Sequence, residues 1–287
     1  MTETKYYKVA GHVFCVTAKS SDFELMKNYE PFCCNEATDK EVIFAMTIQE
    51  EAPVSCTEEL RQEDEGQEII CGKTADGKSV FEFIWLKQSA GWLVCSPDYR
   101  KGELTVTGLS RKMAIDNTLM VLFALATAPY DTALFHAAVV SHNEKAYMFL
   151  GKSGTGKSTH ARLWLKHING TDLVNDDNPV VRMTGEGSFT IYGSPWSGKT
   201  PCYRNVSYPL GGIVLLSQAP HNKIRRLKGI EAYAALVPSI SGKRWDRKIA
   251  DGLHQTENAL TQFVNVWHLE CLPDEEAAKV CQTNIEQ

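Results

Sequence analysis

The segment that most constrains this chain is Gly-Lys-Ser-Gly-Thr-Gly-Lys-Ser, at residues 151–158. An apolar run at residues 146–150 precedes it, and residues 157–167 follow it with helical periodicity. Glycines in such a loop permit backbone angles that aim successive N–H groups inward, so that they form an anion-binding nest. The order of strand, glycine-rich loop and helix therefore predicts an α/β layer at this point of the chain.

The spacing within this loop fits the pattern G-x-x-x-x-G-K-[ST] of a phosphate-binding loop. Lys157 would contact the β- and γ-phosphates, Ser158 would bind Mg²⁺, and the helix N-terminus would add positive potential. The predicted cofactors are ATP, or another nucleoside triphosphate, and Mg²⁺. The predicted nucleotide-binding residues are Gly151, Lys152, Ser153, Gly154, Thr155, Gly156, Lys157, Ser158 and Thr159. The alternative is a glycine-rich turn that holds no ligand.

Two adjacent acids, Asp176 and Asp177, follow the next short apolar run. A P-loop protein needs a carboxylate for the metal on a neighbouring strand. Neighbouring side chains of an extended segment point to opposite sides, so the two acids are expected to act differently, one near Mg²⁺ and one near an acceptor hydroxyl. The alternative is an ordinary turn, which Asn178 and Pro179 favour.

The first hundred or so residues are predicted to be rich in β-strands, because Val, Ile, Phe, Tyr and Trp recur between turn residues. The predicted strands cover residues 6–17, 41–49, 79–86, 92–95 and 103–107, with turns at 76–77 and 90–91. The charged residues 58–68 are predicted to form a solvated loop. Residues 111–128 have helical periodicity, with Ser110 as N-cap and Pro129 ending the helix. The change in character predicts two domains, residues 1–109 and 110–287.

The composition limits the function classes. The net charge of -5 gives no electrostatic reason to expect a nucleic-acid partner. Nine cysteines, an odd number in a large chain with a polar start and no C-x-x-C pair, indicate reduced thiols in a cytoplasmic protein without a structural zinc site. No run approaches the ~20 apolar residues of a membrane span, so no membrane contact is expected.

With these motifs identified, residues 130–200 resemble the catalytic domain of the HPr kinase/phosphorylase family, whose nucleotide fold is shared with ATP-dependent phosphoenolpyruvate carboxykinases. Four segments carry the resemblance: Leu-Phe-His-Ala-Ala-Val at 134–139, the loop at 151–159, Leu-Val-Asn-Asp-Asp at 173–177 and Gly-Ser-Pro-Trp-Ser-Gly at 193–198. The implied fold class is α/β (α+β overall), with the β-rich N-terminal domain packed on a P-loop domain. Assembly into a homo-oligomer is consistent with the resemblance.

The resemblance also implies roles for individual residues. Lys157 and Ser158 would bind phosphate and Mg²⁺, and one of Asp176 and Asp177 would act as general base for a hydroxyl, with Asp177 as the metal ligand. His136 would lie beside the phosphates and tune an Asp. Taken without the family, a histidine in an apolar strand is more often a core residue with its hydrogen bonds satisfied. The expected activity is a kinase acting on a hydroxyl of a small molecule or of a protein serine.

The chain also departs from the family, and the departure keeps other functions open. Residues 190–199 contain no acid, whereas HPr kinases carry a Glu-containing segment after the Asp pair. The alternatives are a nucleotide-binding regulatory module with little or no catalysis, and an inactive remnant that binds nothing. Weaker candidates for ligand contact are Trp196, Lys199 and Arg204, each equally readable as an anchor or a solvated charge. Arg225 and Arg226, which follow Lys223, and the basic segment 242–248 are further candidates, for which a solvated surface is the more usual interpretation.

Overall fold

The computed structural model describes residues 2–35, 42–50, 54–64, 66–108 and 110–286. Glu41, the first residue of one predicted strand, and Leu109, the last residue of the predicted N-terminal domain, lie outside these ranges. The chain divides into two compact units, Met1–Thr127 and Ala128–Gln287. Both units are mixed α/β structures built on a large sheet, which agrees with the predicted fold class.

The first unit is built on one sheet, in which the described strands follow the order β3-β1-β2-β4-β9-β8-β7-β6-β5. Its elements are β1 Thr2–Val9, β2 His12–Lys19, α1 Ser20–Phe23, a 3-10 helix Lys27–Phe32, β3 Cys33–Cys34, β4 Val42–Gln49, β5 Thr57–Asp64, β6 Gln67–Lys73, β7 Ser79–Trp85, β8 Gln88–Cys95, β9 Lys101–Val106 and α2 Arg111–Thr127. Strand β4 runs parallel to both β2 and β9, and the other pairs are antiparallel.

Helix α2 belongs to this first unit, which corrects the predicted boundary at 109/110. The helix packs on β4, β8 and β9. Gly102 of β9 lies so close to it that a Cβ there would be 2.6 Å from Leu122 Cδ1. Phe123 adds an edge-to-face contact with Phe14, at 6.4 Å between ring centroids. A sequence pattern locates such a helix but does not show which sheet will bury its apolar side chains.

The same helix bears on the prediction about membranes. With the 3-10 turn that follows it, Arg111–Tyr130 is long and apolar enough to cross a membrane by length and composition, contrary to that prediction. However, 67% of this window is buried inside the structure, as in the core helix of a soluble protein. The α-helix ends at Thr127, before Pro129, as predicted. Ser110 has a φ of 57°, which is not the extended conformation of the predicted N-cap.

Three other predictions for this unit were wrong. The charged residues 58–68 do not form a loop: most of them lie in β5 and β6, which pair antiparallel. Arg61 of β5 pairs with Glu58 on the same strand and with Glu68 on β6. Residues 6–17 are split between β1 and β2 by a turn. Gly91 lies inside β8, where a Cβ would be 2.6 Å from the carbonyl oxygen of Thr105, so this glycine permits a close strand approach and does not form a turn.

The second unit contains the glycine-rich loop. Its elements are a 3-10 helix Ala128–Tyr130, β10 Thr132–Leu134, β11 Ala138–His142, β12 Lys145–Leu150, α3 Lys157–His167, β13 Asp172–Asn175, β14 Val180–Gly185, β15 Ser188–Tyr192, β16 Ser207–Gln218, β17 Lys223–Leu227, α4 Ile230–Leu236, a 3-10 helix Val237–Ser239, α5 Arg247–Phe263, β18 Val266–Cys271 and α6 Glu275–Ile285. The predicted strand at 146–150, helix at 157–167 and apolar run before the acid pair are confirmed as β12, α3 and β13.

The strand order places the predicted site at one edge of the second sheet. The described strands follow the order β10-β14-β15-β16-β12-β11-β13, with β18 beside β16 and β17 beside β18. Strands β12, β16 and β18 are parallel, and β11 runs antiparallel between β12 and β13. The C-terminal ends of β12, β13, β16 and β18 therefore meet at the same edge as the N-terminal end of β11.

A tight turn joins β11 to β12 at the opposite edge. Asn143 and Glu144 both have positive φ, 48° and 61°, as in a type I′ hairpin turn. Between the two edges, β12 and helices α3 and α6 enclose an apolar core around Trp164, Phe149 and Ala278. Helix α3 buries His160, Ala161 and Trp164 on one face, which follows from their helical spacing.

Candidate functional site

The glycine-rich loop connects the end of β12 to the start of α3. Gly151, Gly154 and Gly156 all have positive φ, at 155°, 78° and 110°, a region that other residues rarely adopt. Gly156 is the N-cap of α3, and its carbonyl accepts the first helical bond from His160 N at 2.8 Å. The loop therefore turns sharply into the helix and leaves the first amides of α3 at the C-terminal edge of the sheet.

Lys157 is buried and its ammonium group turns back on the loop. The Nζ atom donates to the carbonyl oxygen of Gly151 at 2.9 Å and to that of Lys152 at 3.4 Å. Ser158 and Thr159 lie in the first turn of α3 and are partly exposed, whereas Lys152, Ser153 and Gly154 are exposed. The loop thus has the strand before it and the helix after it that the sequence predicts.

Gln218, which the sequence did not indicate, also contacts this loop. It is the last residue of β16, the parallel neighbour of β12, and its Nε2 donates to the carbonyl oxygens of Gly154 at 3.3 Å and of Thr155 at 3.4 Å. Lys157 and Gln218 therefore occupy four carbonyl groups of the loop. Loop carbonyl oxygens that accept these internal hydrogen bonds do not face a bound anion. The backbone N–H groups of the loop therefore remain to bind it.

The acid pair follows β13 in a turn organised by Asn175. This residue is fully buried, and its Oδ1 accepts from the backbone N–H groups of Asp177 and Asn178, both at 2.8 Å. Its Nδ2 donates to Ser194 Oγ and to the carbonyl oxygen of Trp196, both at 3.1 Å. The Asn175 side chain thus makes all four hydrogen bonds of which it is capable, and it ties the acid turn to the segment 193–199.

Asp177 has a partner for each carboxylate oxygen. Its Oδ2 accepts from Asn178 Nδ2 at 2.7 Å, and its Oδ1 lies 3.5 Å from His136 Nδ1. His136 is half-exposed and lies between β10 and β11, not inside one apolar strand as predicted. Backbone bonds from Ala137 N to the Asp177 carbonyl, at 2.8 Å, and from His136 N to the Ser239 carbonyl, at 2.7 Å, fix this position.

Asp176 differs from its neighbour in its surroundings. Its side chain is buried, with 8% exposure, and its Oδ1 has no hydrogen-bond partner. Cys202 is close enough that the Asp176 charge acts on its thiol: burial chiefly, and the charges of Asp172 and Asp176, raise the pKa of Cys202, while Arg204 lowers it. A buried carboxylate oxygen without a partner is costly, so this atom is suited to meet a ligand group.

The segment 193–199 lies against the acid pair. A Cβ on Gly198 would be 3.2 Å from the Asp176 carbonyl oxygen and 3.3 Å from Asp177 Cβ, so the close approach depends on glycine. Ser194 Oγ donates toward the carbonyl oxygen of Asn178, 2.6 Å away. Trp196 is buried at 4% exposure, which favours its interpretation as an anchor of this segment over a lining residue of an open pocket.

His160 lies under the loop, on the buried face of α3. Its Nε2 accepts a hydrogen bond from Trp164 Nε1 at 3.1 Å, so the proton of the neutral ring is on Nδ1, which has no partner. Burial lowers the pKa of His160 to about 4. This histidine is therefore neutral at physiological pH and contributes to packing beneath the site, where its ring meets Phe149 edge-on at 4.7 Å.

Most of the weaker basic candidates have structural partners. Arg204 pairs with Asp172 at 2.6 Å and with the Leu173 carbonyl, and Arg225 forms two bonds to Glu231 at 2.9 and 3.1 Å. Arg226 bonds Asn265. In the segment 242–248, Arg244 bonds the buried Glu257 at 2.6 Å. Lys199 and Lys223 are exposed. These contacts favour structural roles for the four arginines.

Within the described residues, no group of three or more His, Cys, Asp or Glu side chains is arranged to hold a metal ion. A metal at this edge would therefore rely on few protein ligands and on phosphate oxygens, as Mg²⁺ commonly does in nucleotide sites. Ser158 and Asp177 would each offer one oxygen ligand to such a metal. None of the nine cysteines, all of which lie in the described ranges, forms a disulfide.

Comparisons with known proteins gave no match by sequence and a distant similarity by structure. No protein-family model matches this chain, and no curated protein matches it. Among solved structures, the HPr(Ser) kinase/phosphatase from Coxiella burnetii is similar at a TM-score of 0.31 and 11% sequence identity, over 52% of this chain and 91% of that chain. This likeness is too distant to assign an activity or a residue role.

Proposed function

We propose that the second unit binds ATP with Mg²⁺ on the loop 151–158 and transfers the γ-phosphoryl group to a hydroxyl acceptor. The observation that carries the proposal is the buried Asp176 carboxylate, whose Oδ1 has no partner, at the sheet edge where the glycine-rich loop also lies. A phosphate loop alone suits switches and hydrolases as well as kinases. A buried carboxylate oxygen beside it adds a group that can accept the proton of an alcohol.

The two acids have different roles in the proposed reaction. The acceptor oxygen forms a bond to the γ-phosphorus, the bond from that phosphorus to the β,γ-bridging oxygen breaks, and ADP leaves with the electron pair. The hydroxyl proton passes to Asp176 Oδ1. Asp177, whose orientation is held by Asn178 and His136, would share Mg²⁺ with Ser158. Positioning and charge stabilisation supply most of the acceleration in such a reaction.

Nucleotide binding is tested first, by thermal unfolding. Mg-ATP at about 100 times its Kd would stabilise the native protein by about 2.7 kcal/mol and raise its Tm. Lys157→Ala would abolish the shift, because the residue that contacts the phosphates is gone. Lys166→Ala, at an exposed position of the same helix, is the matched control and would retain the shift. No shift in the native protein contradicts nucleotide binding.

Transfer is tested with γ-labelled ATP and a panel of free serine, small alcohols and candidate carrier proteins. The expected result is label on at least one acceptor, lost in Asp176→Asn while that variant still shows the Mg-ATP shift. Release of labelled phosphate alone, at equal rates in the native protein and in Asp176→Asn, would contradict the kinase proposal.

A second candidate is a nucleotide-sensing module in which ATP controls a partner and catalysis is negligible. It is favoured by the absence of acids in residues 190–199 and of a larger metal-ligand cluster in the described residues. If Asp176→Asn retains both ATP binding and the protein's role in the cell, this candidate is correct. The cytoplasmic location, the homo-oligomer and the lack of nucleic-acid and membrane partners stay predictions.

A further inference from the structure

Asn175 connects two segments that the proposed reaction needs together. Its Oδ1 holds the N–H groups of the turn that carries both acids, and its Nδ2 holds Ser194 and the Trp196 carbonyl of the segment 193–199. The residue is fully buried and every polar atom of its side chain is satisfied. Such a network has one arrangement, so the turn and the segment are fixed relative to each other.

Asp176 depends on this arrangement more than its neighbour does. The carboxylate of Asp177 is held by Asn178 and lies beside His136, whereas Asp176 Oδ1 has no hydrogen bond to fix its direction. The direction of Asp176 is therefore set by its backbone, and Asn175 fixes the backbone immediately after it. A Cβ on Gly198 would be 3.2 Å from the Asp176 carbonyl oxygen, so the segment 193–199 lies close to this backbone.

We propose that Asn175 is a positioning residue that aims Asp176 and Asp177 through the segment 193–199. The inference rests on the proposed function, because a fixed direction of the two carboxylates matters only if they contact a ligand. It predicts that loss of Asn175 damages the metal and transfer steps more than it damages binding of the nucleotide to the loop 151–158.

The experiment compares Asn175→Ala with Ser194→Ala and with the control Asn222→Ala. Asn222 makes the same kinds of bond, since it accepts from Leu272 N at 2.9 Å and donates to Asp274 at 3.0 Å, but it lies in the turn between β16 and β17. Four quantities are measured for each variant. They are the Tm, the Kd for ATP in EDTA, the Kd for Mn²⁺ in the presence of a non-hydrolysable ATP analogue, and the turnover of ATP. The spectrum of free Mn²⁺ monitors Mn²⁺ binding.

The expected result for Asn175→Ala is an ATP Kd within about twofold of the native value, an Mn²⁺ Kd raised by about tenfold, and turnover reduced by about 10²-fold, since a misplacement near 1 Å has that effect. Ser194→Ala would also raise the Mn²⁺ Kd and lower the turnover, but by smaller factors. This variant tests the inference if Asn175→Ala does not fold. Asn222→Ala would lower the Tm alone.

Two outcomes would overturn the inference, and they can be told apart. If Asn175→Ala and Ser194→Ala lower the Tm but leave the Mn²⁺ Kd and turnover at native values, Asn175 is purely structural and the proposed function stands. If the native protein binds neither ATP nor Mn²⁺ with the analogue, the proposed function fails and the inference fails with it.

Discussion

His136 Nδ1 lies 3.5 Å from Asp177 Oδ1, although β11, β12, α3 and β13 separate the two residues in the chain. The contact exists because β11 runs antiparallel between β12 and β13, so the residue before β11 meets the residues after β13. Asn178 holds the other oxygen of the same carboxylate at 2.7 Å. These two partners would orient the Asp177 carboxylate in its proposed role as a metal ligand.

His136→Ala should therefore weaken metal binding. With one outer partner removed, we expect the Kd for Mn²⁺ in the presence of an ATP analogue to rise about tenfold, the lower end of such effects. The Kd for ATP in EDTA should not change. His221→Ala is the control, because His221 also lies near a carboxylate, 3.7 Å from Glu270, at an exposed position. Equal Mn²⁺ affinities in both variants would contradict a role for His136.

Gln218→Ala should lower the affinity for ATP. Two loop carbonyls would lose their internal donor and become free to turn toward the bound phosphates. The loss of two weak hydrogen bonds, about 1 kcal/mol in total, corresponds to an increase of about fivefold in the Kd measured by calorimetry. Gln218→Glu should do more, since a carboxylate would face those carbonyls. Gln255→Ala, which breaks a similar bond to Asp131, should leave the Kd unchanged.

His160 should make the folded protein less stable in mild acid. Its folded pKa of about 4 lies below the unfolded value of 6.5, so as the pH falls through this interval the unfolded chain binds a proton that the folded chain does not. The free energy of unfolding should decrease by about 2 kcal/mol from this residue between about pH 7 and about pH 5. Urea unfolding of His160→Gln, which retains an acceptor for Trp164, should show a smaller decrease. If His160→Gln loses as much free energy of unfolding as the native protein between these pH values, His160 is not the cause of the loss.

The buried Glu257 should make Arg244 important for stability. Its carboxylate is fully buried and accepts from Arg244 at 2.6 Å and from Tyr233 at 2.7 Å. Arg244→Ala would leave this charge without its cation and should lower the free energy of unfolding by about 3 kcal/mol, measured in urea. Adding Glu257→Leu should recover much of the loss. Arg247→Ala, at an exposed residue of the same segment, should have no measurable effect.

The parts of the site that the sequence predicted are local patterns. These patterns depend on residues close together in the chain. They are the loop 151–158 with its strand and helix, and the acids after β13. The Asn175 network and the Gln218 contact join residues from different strands, and no local pattern indicates them. Asn175 is an ordinary turn residue in the sequence, and only the packed segment 193–199 gives its amide group two acceptors.

The errors in the fold have a related cause. Strand β5 is rich in Glu, which is depleted in strands, yet it pairs with β6, which places Ile69 and Ile70 opposite Gln62 and Arg61. Helix α2 was assigned to the wrong unit because its apolar residues fit any sheet surface. In both cases the deciding partner lies elsewhere in the chain, so propensity and periodicity could not identify it.

The Asn143–Glu144 turn offers a practical route to these measurements. It joins β11 to β12 at the sheet edge opposite the glycine-rich loop, and both residues are exposed. A short peptide tag inserted there would extend into solvent, since exposed hairpin tips tolerate insertion. The protein could then be immobilised on a sensor surface through the edge of the second sheet that lies opposite the loop, the acid pair and His136.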